Sequence, residues 1–370
     1  MAVSFSRNRR NMTRHPDVQA GCIGVRRKAL EQNQVSTAAT MKDVAERAGV
    51  STATVSRALM NPEKVSAATR QKVEQAVMDV GYSPHALARN AKRSESRTIL
   101  VIVPDICDPF FSEIIRGVEV TAAAEGYLVL IGDCAHQNQQ EKTFMNLMLT
   151  RQIDGMVLLG SQVPFDTGVE EQRSLPPMVM ANEFAPDLEL PTVHIDNLTA
   201  AFEAVNHLWQ LGHRRIACIA GPEEMPLSHY RLQGYIQALR RHGQTVEPRY
   251  IVRGDFTFEA GATAFKRLMA LPQPPKALFC HNDIMALGAM SQAKSMGLRI
   301  PQDLSVVGFD DIELSRYSDP PLTTIAQPRF ALGREAMLLL LKQLQGRIVN
   351  NGSRLLEFEL KLRGSTIHAS

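Results

Sequence analysis

Residues 51–57, STATVSR, bring Ser51, Thr52, Ala53, Thr54, Ser56 and Arg57 together. Hydroxyls, a methyl and a guanidinium hold hydrogen bonds and apolar contacts rather than break bonds. Thr52, Ala53, Ser56 and Arg57 fall off the apolar face of their segment and are free to meet a base edge. A second constellation is spread along the chain. Asp108, Phe110 and Phe111, then Asn182 and Glu183, then Phe256, Asn282, Asp310 and Gln327 each follow a short β-branched run, and Arg231 stands between. Such a set suits a polyhydroxyl ligand held between aromatic faces, with carboxylates, amides and Arg231 taking the hydroxyl hydrogen bonds. Each member also has a plainer reading. Phe110 and Phe111 fit a core, and an Asp or Asn after a strand fits a helix cap.

The first set needs a helix pair. In MKDVAERAGVSTATVSRALM, residues 41–60, Val44, Ala45 and Ala48 form one apolar face and Gly49 permits a tight reversal. Ser51 is a ready N-cap, and Val55, Ala58 and Leu59 pack back on the first helix. A third helix within VSAATRQKVEQAVMDVGY, capped by Ser66 with Val73, Val77 and Val80 inward, closes a small core. The basic piece SPHALARNAKR follows.

The second set needs strand ends. From Thr98, TILVIVP, GYLVLIG, DGMVLLG and PMVMA alternate with FFSEIIRGVEVTAAAEG and QEKTFMNLMLTRQ, the rhythm of a parallel sheet. RRIACIAG, RYIVRG, KALFCHND and LSVVGFDD repeat it, separated by helices near 230–241, 259–268 and 285–295. Two doubly wound lobes with a ligand cleft beyond their carboxyl strand ends are expected. TTIAQP and a helix over 332–344 are expected to cross back to the first lobe and contribute to a hinge.

Charge divides the same way. Residues 1–97 hold 17 Lys and Arg against 8 Asp and Glu, whereas residues 98–370 hold 24 against 30. The basic end suits phosphate contacts and the acidic remainder keeps off a polyanion. The composition, 44% hydrophobic and 21% charged, is that of a soluble globular protein. Five scattered cysteines, with no CxxC pair, read as reduced apolar residues in a cytoplasmic protein. No apolar run approaches the ~20 residues of a membrane span, and the start lacks the apolar core of a secretory signal. An enzyme is not expected, because nucleophile elbow, phosphate loop and metal cluster are all missing from the sequence, and no cofactor is expected either. His194 and His281 lack metal-ligand spacing and read as polar contacts. The expected organisation is a disordered basic arm over 1–39, a helix-turn-helix head over 40–82, a hinge helix and linker over 83–97, and a two-lobed core over 98–370. The arm either adds nonspecific DNA affinity or precedes a start codon further in.

Taken together, DVAERAGVSTATVSRAL, YSPHALAR, DPFFSEIIRGVE, TVHIDN, GHRRIACIAGP, RLQGY, HNDIMALGA, LSVVGFDD and PPLTTIAQP resemble the LacI/GalR family of bacterial repressors over 40–366. The resemblance implies an all-α helix-turn-helix head joined to an α/β core like a periplasmic binding protein. Carried over, it makes Thr52, Ala53 and Arg57 major-groove readers, Arg57 able to take a guanine bidentately. Ser51, Thr54 and Ser56 then position the helix on phosphates. The family's hinge, here 83–92, wedges a leucine into the minor groove where this chain has Ala91, so modest intrinsic operator affinity that leans on a DNA-bound neighbour is expected. The lobes look like ribose-binding proteins, and the positions of Asp108, Phe110, Phe111, Asn182, Arg231, Phe256, Asn282, Asp310 and Gln327 line the sugar site in that pattern. Purine-base repressors of the family have Asp-Trp in place of Asn182-Glu183, and Arg and Thr in place of Met225 and Leu227, which argues against a purine base. RTILVIVPDICDPFFSEIIRG, GDCAHQNQQEKTF, VMANEFAP and AGPEEMPL are similar to a family member that represses nucleoside uptake and catabolism. That similarity implies cytidine as effector and the cyclic-AMP receptor protein as DNA-bound neighbour. Half-site reading implies a homodimer, and RGSTIHAS offers no heptads for a tetramer.

Overall fold

The computed structural model describes residues 40–80, 96–134, 150–160, 177–184 and 190–369, with Phe144 and Leu147 besides. The predicted arm, the hinge and Ala91 lie outside the described residues, as does most of 140–152. The chain forms two compact units that divide near residue 85.

In the first unit, α1 (Met41–Ala48), α2 (Thr52–Met60) and α3 (Ala67–Val80) surround Val44, Ala45, Val55, Ala58, Val73 and Ala76. Each helix start is capped as its side chains allow. Thr40 and Asp43 form a reciprocal capping box on α1. Ser51 Oγ accepts from the Thr54 amide at 3.2 Å, and Ser66 Oγ accepts from that of Thr69 at 3.3 Å. Gly49 turns the chain at φ 64°, where a side chain is strained. Val77, Val80, Ala48 and Leu59, expected inside, lie at the core's half-buried margin, and Ala76 takes the inner position on α3. Arg47 on α1 pairs with Asp79 on α3 at 2.6 Å.

The second unit contains two six-stranded sheets of one design. The first is ordered β11-β5-β4-β3-β1-β2 from β1 (Thr98–Val103), β2 (Leu128–Asp133), β3 (Gly155–Leu158), β4 (Met178–Ala181), β5 (Pro191–Ile195) and β11 (Gly352–Leu356). The second is ordered β12-β10-β9-β8-β6-β7 from β6 (Ile216–Ala220), β7 (Ile251–Arg253), β8 (Ala277–Cys280), β9 (Ser305–Asp310), β10 (Thr323–Ala326) and β12 (Glu359–Lys361). Every pairing is parallel except β10 with β12. Central strands buried on both faces explain the unbroken apolar runs ILVIV and IACIA.

Helices α4 (Phe110–Ala124) and α10 (Arg329–Leu344) cover one face of the first sheet. Helices α5 (Asn197–Gln210) and α6 (Pro226–Arg241) cover one face of the second, and α7 (Phe258–Met269) and α8 (Asp283–Ser295) the other. A short α9 (Glu313–Tyr317) precedes β10. The chain passes between lobes after β5, β10 and β11. TTIA pairs in the second sheet, and the crossing back to the first lobe expected at TTIAQP and the helix after it comes directly past this strand. β5, α5, α9, β11 and β12 escape sequence reading. Their polar residues, as in the exposed GSRLL of β11, blur the apolar pattern that marks the other strands.

Candidate functional site

In each sheet the order reverses beside the first strand of the lobe, β1 or β6, and the loops after the strands meet at the facing ends. The second lobe supplies the charged centre. Arg231, in the second turn of α6, is 3% exposed. Its Nε donates to Asn197 Oδ1 at 2.8 Å, its Nη1 donates to the His281 carbonyl, and its guanidinium lies 3.8 Å from the centre of the Phe309 ring. Its Nη2 stands 3.8 Å from Asp310 Oδ1. Gln327 Nε2 donates to the same oxygen at 2.8 Å. Burial nevertheless pushes the Asp310 carboxyl up to about 7, outweighing Arg231, and negative Asp108 adds to the rise. Burial likewise lifts Asp108 above the usual carboxylate range.

The first lobe reaches across. Glu183, two residues past β4 and fully buried, accepts at Oε1 from the Leu227 amide at 3.2 Å. Leu227 lies in the first turn of α6, a helix with no side-chain cap of its own. The carboxylate of one lobe therefore caps a helix of the other, satisfying a helix-end donor and complementing the helix dipole. Burial raises this carboxyl to about 7, over the lowering effects of the Phe184 amide, Arg231 and the Leu227 amide.

Backbone geometry marks the same place. Asn182 (φ 72°), Phe256 (φ 69°), Asp310 (φ 117°) and Asp311 (φ 54°) all occupy the left-handed region that disfavours side chains, Asp310 ending a strand and the other three following one. Such strain gathers where surrounding structure imposes it, commonly at ligand sites. Among the described residues, six buried side-chain polar atoms lack a hydrogen-bond partner. Three of them, Asn182 Oδ1, Ser228 Oγ and His281 Nε2, belong to this region.

The plainer readings hold for part of the set. Phe110 and Phe111 are buried with the first lobe's core as an edge-on pair 5.2 Å apart. Asn282 caps α8 through the Met285 amide at 2.9 Å and donates to the Phe256 carbonyl at 3.2 Å. Asp108 accepts from the Phe110 amide at 2.9 Å. Leu227 buries its side chain and offers only its backbone amide, while Met225 is half-buried at the N-cap of α6. His194 bonds Ser353 Oγ at 2.8 Å and ties β5 to β11. Asn197, Ser228 and the cross-lobe role of Glu183 were not foreseen. Asn197 lies in the TVHIDN motif, but Ser228 carries no signal in the sequence.

Asp283 and Asp311 are structural. Asp283 accepts from Thr324 Oγ1 and the Ile312 amide, and Asp311 pairs with Arg316 and Arg363. Among the described residues no group of three His, Cys, Asp or Glu could hold a metal, and no helix is long and apolar enough to cross a membrane.

On the head, Ser51, Thr52, Ala53 and Arg57 are exposed along the start and outer side of α2, and Thr54 and Ser56 are half-buried. Ser51 Oγ also lies 2.9 Å from Thr54 Oγ1, so these hydroxyls organise the helix start that carries the others.

Two family descriptions match the chain: bacterial regulatory proteins, lacI family, over residues 40–85, and periplasmic binding protein-like domain over 205–366. The chain is 72% identical over 337 residues to the HTH-type transcriptional repressor CytR of Escherichia coli K12, covering 91% of this chain and 99% of that one. The chain belongs to the LacI family. The lac repressor dimer bound to operator and the anti-inducer ONPF superposes with a TM-score of 0.77 at 30% identity, over 90% of this chain and 100% of that one. A LacI-family regulator from Enterococcus faecium with bound ribose gives a TM-score of 0.64 at 26% identity, over 74% of this chain and 100% of that one. As a LacI-family member the protein is a DNA-binding transcriptional repressor and not an enzyme. It binds operator DNA and an effector, and it forms dimers.

Proposed function

We propose that this repressor controls genes of nucleoside uptake and catabolism, acting in the cytoplasm beside the cyclic-AMP receptor protein, and that a nucleoside, cytidine, relieves it. The observation that carries the effector reading is the buried Arg231–Asp310–Gln327 group at the strand ends, a donor and acceptor set suited to sugar hydroxyls. The match to CytR supports cytidine and the partner. In this reading Asp108, Phe110, Phe111, Asn182, Glu183, Arg231, Phe256, Asn282, Asp310 and Gln327 surround the effector, with Met225 and Leu227 at the α6 end. Ser51, Thr52, Ala53, Thr54, Ser56 and Arg57 meet the operator, and Ala91 lies in the hinge. Closure of the lobes, linked by three crossings, shifts the population that presents two heads at operator spacing.

Calorimetric titration with cytidine, ribose and adenosine tests the effector. Saturable cytidine binding, with the other two much weaker, supports the reading, and no cytidine binding sinks it. The ribose-bound relative makes free ribose the second reading, which preferential ribose binding would establish. Arg57→Ala tests the head. An operator affinity lower by about 1–3 kcal/mol, with relaxed base preference at one position, is expected in a mobility-shift titration.

A further inference from the structure

His281 and Ser228 stand apart from the residues so far given to the effector. Both are fully buried. The His281 Nδ1 accepts from the Gly221 amide at 3.0 Å. A nitrogen that accepts cannot carry the proton, so Nε2 does, and burial with the nearby Arg231 and Arg253 charges keeps the ring neutral. His281 therefore presents one N–H donor of settled direction, and Nε2 has no partner among the described residues. The Ser228 Oγ has none either.

Gly221 places these groups at the effector region. A Cβ on Gly221 would strike both the Phe256 ring and Ser228 Oγ, so the absent side chain lets ring edge and hydroxyl come together. The amide of this glycine is the one bonded to His281. Phe256, half-buried and strained at φ 69°, thus sets its ring edge on the same glycine as the Ser228 hydroxyl in the first turn of α6. The Leu227 amide taken by Glu183 is one residue away from Ser228. Both groups neighbour Gly221, one through its amide and one where its side chain would be, and an oxygen that reaches both would accept from the first and donate to, or accept from, the second. A hydroxyl meets both demands. A buried donor left unmade costs about 1–3 kcal/mol, so both groups persist most readily where a ligand completes them.

We propose that Ser228 Oγ and His281 Nε2–H together bind one sugar hydroxyl of the effector, a contact that makes the pocket selective for that hydroxyl. This rests on the nucleoside reading above.

The test titrates wild type, Ser228→Ala and His281→Asn with cytidine and with its 2′-, 3′- and 5′-deoxy analogues. Asparagine retains an acceptor for the Gly221 amide but cannot supply the Nε2 donor. Wild type should bind one deoxy analogue about tenfold or more weaker than cytidine. Ser228→Ala should lose a similar factor for cytidine and nothing further for that one analogue, and His281→Asn should repeat the pattern. If Ser228→Ala leaves cytidine binding unchanged, or weakens all four ligands equally, the pair holds water or serves packing and the proposal falls. If wild type fails to bind cytidine at all, the effector reading falls and takes this proposal with it. Ser228→Ala removes a single oxygen, so the test stands even where His281→Asn does not fold.

Discussion

At the ends of the first lobe's strands stand Asp108, Asn182 and Glu183. At the ends of the second lobe's strands stand a guanidinium with partners for its nitrogens, Asp310 with its own donor Gln327, and the neutral His281. The strand orders are the same, yet the polar groups are built differently. The second lobe assembles its charged group from its own elements, holding it ready in the sense that lowers the ordering cost of binding. The first lobe brings acceptors, one of which, Glu183, finds its tertiary partner only on the opposite lobe. The same strand order therefore allows one lobe to serve as preformed platform and the other as the part that docks on it.

Removing the platform's cation is the severest way to break this contrast. Arg231→Met leaves Asp310, Asn197 Oδ1 and the His281 carbonyl without their partner, and a loss of about 3–5 kcal/mol is expected in denaturant titration at pH 8. Because Asp310 protonates at about 7, the loss should shrink at pH 5. A loss unchanged with pH would show that the Arg231–Asp310 attraction is a minor part of the platform.

Glu183→Gln probes the docking lobe. Its carboxyl titrates near 4.5 in the unfolded chain and about 7 in the folded one, so between those values the folded state holds the extra proton. Stability then falls as pH rises from about 4.5 through 7 and levels above, by up to about 3 kcal/mol from this group. Glutamine still accepts from the Leu227 amide but carries no charge. Thermal melts should match wild type at pH 4 and exceed it at pH 8. Equal melts at pH 8 would deny the raised carboxyl.

The mildest change, Asn282→Ala, removes the α8 cap, for an expected loss of about 1 kcal/mol in thermal or urea unfolding. An effector affinity that falls further than this would place Asn282 in the binding set as well as at the cap.

Much of the fold was legible because it obeys local rules. The Ser51 cap, the left-handed Gly49, the β-branched runs of the central strands and the helical spacing of α2 and α8 follow from short-range sterics and hydrogen bonding, which a sequence states directly. The positions that end strands were legible too, since a doubly wound lobe leaves its polar residues there. How each of them is held there was not. Phe110 and Phe111 became core, and Asn282 a cap. Glu183 met an amide 44 residues away, and His281 took its tautomer from a glycine 60 residues away. Pattern and propensity act over a few residues, so the sequence alone determined the elements and their order. The partners of buried polar groups depend on which distant backbone donors folding brings within about 3 Å, and only the tertiary structure decided those.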